Sequence, residues 1–219
     1  MRRALSVKAG GPHLQVLRIC ALFFVAASSM ACTSYCRLAL PEYAWQAHSK
    51  GRGWNLTTEL AVGPAANPER HGRGWALGPV AGYSMKSRDP DAPEEDVWLW
   101  YAGMKLHYFL YRIASPIPGR KGEIPELFAL GSSLALGPAW AKSRKSDEPT
   151  RLRGVISEGE LFARLTLLTM MSFKASVGAE WAPEFSGVFA RLAIGLAPAV
   201  MGRSQEPGGG VDQREGDGD

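Results

Sequence analysis

Two stretches decide how the chain is read: Phe173-Lys-Ala-Ser-Val-Gly-Ala-Glu-Trp181, and after a short break Val188-Phe-Ala-Arg-Leu-Ala-Ile-Gly-Leu196. Phe173, Ala175, Val177, Ala179 and Trp181 fall on one parity, with Lys174, Ser176, Gly178 and Glu180 between them. After the break the apolar set is Val188, Ala190, Leu192, Ile194 and Leu196. Side chains alternate across a strand, so this is a hairpin with one apolar face and one small or charged face.

The pattern recurs upstream. Trp54, Leu56, Thr58, Leu60 and Val62 form one apolar row, and Trp75, Leu77, Pro79, Ala81, Tyr83 and Met85 another. Trp98, Trp100, Ala102, Met104, Leu106, Tyr108 and Leu110 form a third. Phe128, Leu130, Leu134, Leu136 and Trp140 form a fourth. Residues 158–171 alternate less cleanly, with Leu161, Ala163, Leu165 and Leu167 against Glu160, Arg164 and Thr166, and also fit an amphipathic helix; strands on both sides favour β. That makes seven strands. Residues 37–48 read either as a helical turn opening at Pro41 or as a poorly patterned first strand, and counting Arg37–Trp45 as that strand makes eight. The expected fold is all-β: a single antiparallel up-and-down barrel of about eight strands over residues 32–201. Polar connections are expected at 64–74, 87–95, 114–124 and 142–153. From 202 to 219 a polar tail with Gly208-Gly-Gly210 and a closing Glu-Gly-Asp-Gly-Asp is expected to be disordered.

The apolar rows face either lipid or an internal ligand, and the minor face discriminates. A soluble barrel would turn that face to water and fill it with Lys, Glu and Thr. Here it holds mostly Gly, Ala and Ser, with isolated charges at Glu59, Lys86, Lys105, Arg164, Lys174, Glu180 and Arg191, and His107 on the same parity. That composition suits a narrow, filled lumen in which opposite charges meet. Trp54, Trp75, Trp98, Trp140 and Trp181 stand on the apolar face near strand ends, where a membrane barrel carries its aromatic girdle. An exported, lipocalin-like barrel with an apolar ligand inside remains the alternative.

The chain has 219 residues, 46% of them hydrophobic, and a pI of about 9.0. Arg2, Arg3, Lys8 and Arg18 lie within the first 31 residues, which contain no acid; the remaining 21 Lys+Arg match 21 Asp+Glu. The body is formally neutral, so nucleic acid is not an expected partner. The basic start, the apolar run 19–27 and the small residues Ser29 and Ala31 read as a signal peptide over residues 1–31. Ser29-Met-Ala-Cys32 resembles a bacterial lipobox, which implies a lipid on Cys32, although Ser29 stands where that motif usually has Leu. If Cys32 is lipidated, Cys36 is a lone thiol; otherwise a Cys32–Cys36 bridge is open. Three cysteines without a CxxC pair give no zinc ribbon or disulfide framework.

Chemistry is sparse. His107 with Ser133 or Ser176 and Glu160 or Glu180 has the residue types of a hydrolytic triad in a lipid-modifying barrel, but no spacing singles it out. No catalytic, cofactor or metal site is expected. Asn55-Leu-Thr57 matches a glycosylation sequon within a strand.

With its export signal and alternating strands, the chain resembles small bacterial outer-membrane barrels of the OmpA and OmpX kind. This resemblance implies an outer-membrane location, the lipid bilayer as partner, a monomer, and short periplasmic turns with longer outer loops. The count of eight strands puts the turn near Ser172 and the C-terminal tail on the periplasmic side. Such proteins commonly finish on an aromatic residue, whereas this chain finishes on Asp219.

Overall fold

In a barrel each strand must present one parity to the inside and the other to the outside, whatever its length. The computed structural model describes residues 35–49, 51–64, 73–87, 96–115, 123–143, 151–168, 170–182 and 185–202. Eight strands form a closed antiparallel ring: β1 (Tyr35–His48), β2 (Gly51–Gly63), β3 (Gly74–Ser87), β4 (Val97–Ala114), β5 (Glu123–Ser143), β6 (Arg151–Leu167), β7 (Met171–Ala182) and β8 (Phe185–Leu196). Each pairs with its neighbours in sequence, and β8 closes the ring on β1. The expected signal peptide over residues 1–31, Cys32, His71 and the expected tail beyond 202 lie outside the described residues.

Residues 37–48 are strand throughout, and the helical alternative is wrong. The weak pattern has a local cause. Ala39 pairs with Glu59 and Glu42 with Thr57, so β1 carries an extra residue at Leu40-Pro41. Proline has no N–H to give a ladder and is tolerated at such a bulge. Alternation restarts one residue late, turning Glu42, Ala44 and Gln46 inward. A second bulge in β4 leaves Leu110 and Tyr111 both outside and turns Arg112 inward. Residues 158–167 are strand as well, and β6 begins earlier, at Arg151. The expected connections at 114–124 and 142–153 shrink to 115–122 and 144–150.

The row of paired residues leaving β1 at His48 passes Phe189, Gly178, Glu160, Ser133, His107 and Ala76. It regains β1 near Tyr35, at the opposite end of the strand. Such a stagger requires steep strand tilt. It also brings side chains far apart in sequence to one height in the lumen.

A short β9 (Ala199–Gly202) was not foreseen. It pairs with Tyr35–Arg37 of β1 on one edge and with Glu123–Pro125 of β5 on the other. These two strands stand opposite each other in the ring, so β9 lies across the mouth at which the chain enters. Ala199 and Met201 point into an apolar cluster with Tyr35, Phe109 and Phe162, which closes that end. Further along, Leu99, Tyr101, Val80 and Ile156 form a second interior cluster. Gly82 makes room for it: a Cβ there would stand 2.2 Å from the Tyr101 ring across the ladder.

Candidate functional site: the charged lumen and the apolar wall

A charge withdrawn from water is tolerated only when opposite charge and hydrogen bonds replace the solvent. The described residues bury seven cations, Arg37, Lys86, Lys105, Arg112, Arg164, Lys174 and Arg191. They bury as many carboxylates: Glu42, Glu59, Asp96, Glu126, Glu158, Glu160 and Glu180. The interior is therefore neutral as a whole.

Its centre is a closed cycle of alternating sign. Arg37 pairs with Glu59. Glu59 lies 3.5 Å from Lys105, and Lys105 reaches Glu160 at 2.9 Å. Glu160 meets Lys174 at 3.3 Å, Lys174 meets Glu42 at 3.0 Å, and Glu42 returns to Arg37 at 2.9 Å. The six side chains come from β1, β2, β4, β6 and β7, so the cycle forms a septum across the lumen. Arg191 extends it: its guanidinium forks onto Glu158 at 2.9 and 2.8 Å, donates to Gln46 Oε1 at 3.2 and 3.1 Å, and lies 3.6 Å from Glu160.

Two satellite sets flank the septum. Toward the β9 end, Arg164 donates to Glu126 from Nε and Nη2 at 2.9 and 2.6 Å and to the Tyr35 hydroxyl at 3.1 Å. Arg112 places its guanidinium over Tyr35 and Phe109, 4.7 and 4.3 Å from their ring centres, a favourable setting for a cation. Toward the other end, Lys86 pairs with Glu180 and lies over the Phe185 ring.

Every lumen residue expected from sequence (Glu59, Lys86, Lys105, His107, Arg164, Lys174, Glu180 and Arg191) is buried within the ring. Arg37, Glu42, Gln46, Arg112, Glu126 and Glu158 were missed. Glu42, Gln46 and Arg112 follow the two bulges, Arg37 and Glu126 lie ahead of a register shift near the start of their strands, and Glu158 carries the right parity. His107 Nε2 lies 3.2 Å from Glu59, while Ser133 donates to Glu160 at 3.0 Å. No serine–histidine hydrogen bond joins the candidate triad, and Glu180 is engaged by Lys86. Asn55 of the sequon faces inward and donates to the Tyr101 hydroxyl at 3.4 Å. Among the described residues no group of His, Cys, Asp and Glu is arranged to hold a metal ion.

The outer wall is the converse. Among Asp, Glu, Lys and Arg side chains described there, only Arg52, Arg73 and Lys142 reach the exterior, each at or beside a strand end. Trp45, Trp54, Trp98, Trp100, Trp140 and Trp181 gather toward the end away from β9. Tyr43, Tyr83, Trp54, Trp98 and Trp100 there form one cluster of stacked and edge-on rings. The opposite end carries Trp75, paired with Tyr108, and Tyr111. Sequence reading left Trp45 and Trp100 out of the girdle. On β4 the wall from Trp100 to Tyr111 rises about 25 Å along the axis, at roughly 3.3 Å per residue and a tilt of ~45°, which matches the apolar band of a membrane barrel.

Tight connections occur at both ends, at 49–50 and 183–184 on one and at 168–170 on the other, so the expected contrast of short turns and long loops does not distinguish them. Cys36 is a free thiol on the outer side of β1.

No family model matches the chain, and no curated protein matches it. Among solved structures it aligns with the crystal structure of Neisserial surface protein A. The identity is 14%, over 75% of this chain and 95% of that chain, with a TM-score of 0.38. At that level the likeness adds nothing to what the wall and the lumen show.

Proposed function

We infer that the chain is an integral outer-membrane β-barrel, exported by its N-terminal signal, with a sealed lumen and a structural or adhesive role exercised through its exposed ends. The carrying observation is the partition of charge. Fourteen acidic and basic side chains are buried, while the wall between the aromatic rims carries none among the described residues. Water would reward the reverse arrangement. An unbroken apolar wall suits hydrocarbon, where charge near the midplane costs about 2–4 kcal/mol per residue.

The interior argues against transport. An eight-stranded ring is just wide enough for side chains to fill it, and here an ion-paired septum and an aromatic stopper do so. The same interior is unsuited to an apolar ligand, which disfavours the lipocalin-like alternative. A monomer fits this reading, because each strand edge of the ring is already paired and no second copy is needed to complete the sheet.

The test is fractionation of the expressed full chain in a Gram-negative host, with carbonate washing and boiled and unboiled gels. Retention in the outer-membrane fraction with a faster unboiled band is expected. Release by carbonate would overturn the reading.

A further inference from the structure

A turn that meets water is normally built from Gly, Asn, Asp or Ser, which accept left-handed backbone and bond solvent. The β6–β7 connection breaks that rule. Its flanks and described members are Leu167, Leu168, Met170 and Met171; Leu168 is 85% exposed and Met170 58% exposed. Leu168 also has φ 52°, a conformation that a leucine adopts only under steric strain. Glycine would remove the strain and asparagine would ease it, yet a large apolar side chain occupies the position and points away from the protein.

Resting on the membrane-barrel reading, we propose that Leu168 and Met170 of this turn are immersed in the hydrocarbon of the leaflet at the β9 end and do not project into water. Two further observations carry it. The first is length. On β7, Met171 to Trp181 rises about 23 Å along the axis at roughly 3.3 Å per residue and ~45° tilt, which leaves the turn at the edge of an apolar band about 25 Å tall. β7 and β8 have 12 residues each, and β6, with 17, outruns β7 only at the far end, beyond the Ser157–Trp181 pair, so little length is left at the turn to clear the bilayer. The second is backbone pairing. Lipid supplies no hydrogen bonds, so an immersed turn has to find them in protein. Met170 N–H donates to the Leu167 carbonyl at 3.2 Å, and the Met170 carbonyl accepts from Ala197 N–H at 2.7 Å. The protein thus has a notched rim: β3 and its neighbour Arg73 reach the aqueous interface at this end, while the β6–β7 tip stays in lipid and draws the surface inward beside it.

The experiment uses the full chain in phosphatidylcholine vesicles, with Cys20, Cys32 and Cys36 replaced by serine. Single nitroxide labels are placed at Leu168→Cys, Met170→Cys, Arg73→Cys and Leu134→Cys. Collision with oxygen, which concentrates in lipid, is compared with collision with a water-soluble nickel chelate. At positions 168 and 170 the oxygen-to-nickel ratio is expected to exceed that of position 73 several-fold and to stay below that of mid-wall position 134, as befits the edge of the apolar band. Ratios at 168 and 170 that track position 73, with 134 still lipid-like, would overturn the inference and spare the barrel reading. Nickel access at 134 as well would remove both.

Discussion

Replacing Glu160 by Gln keeps the side chain's volume and removes one charge from the septum. The carboxylate is reached by Lys105 at 2.9 Å, Lys174 at 3.3 Å and Ser133 at 3.0 Å, with Arg191 at 3.6 Å. Of the four carboxylates in the extended network three would remain, against four cations. Breaking a buried pair by removing one partner typically costs about 3–5 kcal/mol, because the other charge stays desolvated. The expected loss is therefore at the upper half of that span, about 4 kcal/mol or roughly three orders of magnitude in the folding equilibrium. The assay is urea unfolding of the protein in vesicles, followed by tryptophan fluorescence and by the unboiled gel band. Lys105→Met in the same chain restores neutrality, so the double variant is expected to recover a large part of the loss. A Glu160→Gln variant within about 1 kcal/mol of the parent would refute the reasoning, since only a hydrated, screened lumen tolerates the change so cheaply.

Other outcomes follow from the same geometry. Arg164→Lys keeps the charge but loses the fork onto Glu126 and the bond to Tyr35, so a loss of about 1–3 kcal/mol in the same unfolding assay is expected, with Arg112 beside it adding repulsion. Gly82→Val should fail to fold or lose about 1–3 kcal/mol, because its side chain enters the space of the Tyr101 ring; Tyr101→Ala in the same chain should relieve that part of the loss. The full chain in a planar bilayer should pass no steady current, and a stable conductance would show the septum to be permeable.

The parity of β7 and β8 could be read directly, because nothing interrupts alternation there and the outer residues are uniformly apolar. Lys174, Glu180 and Arg191 could be assigned to the inner parity for that reason. Glu42 and Gln46 were not, because one extra residue at Leu40-Pro41 inverts every later position in β1. Leu110-Tyr111 hides Arg112 in the same way. Partner choice was a harder matter. Arg37 and Lys174 share Glu42 only because the stagger of the ring lifts one strand against another, and local pattern carries no record of stagger. β9 was invisible for a related reason: four residues after Pro198 have no period of their own, and both their partners are distant. The connections at 114–124 and 142–153 were overestimated because charged residues near strand ends, such as Glu123, Lys142 and Arg151, read as loop.

The apolar wall facing lipid is the claim on which the rest depends, and Leu134→Arg tests it most directly. Leu134 lies mid-wall on β5, opposite Leu106 and Gly159, and is 55% exposed with no need to fit a core. In a bilayer the substitution is expected to destabilise the folded barrel by about 2–4 kcal/mol in the vesicle unfolding assay. A change within about 0.5 kcal/mol, as for an ordinary surface position in water, would contradict the account.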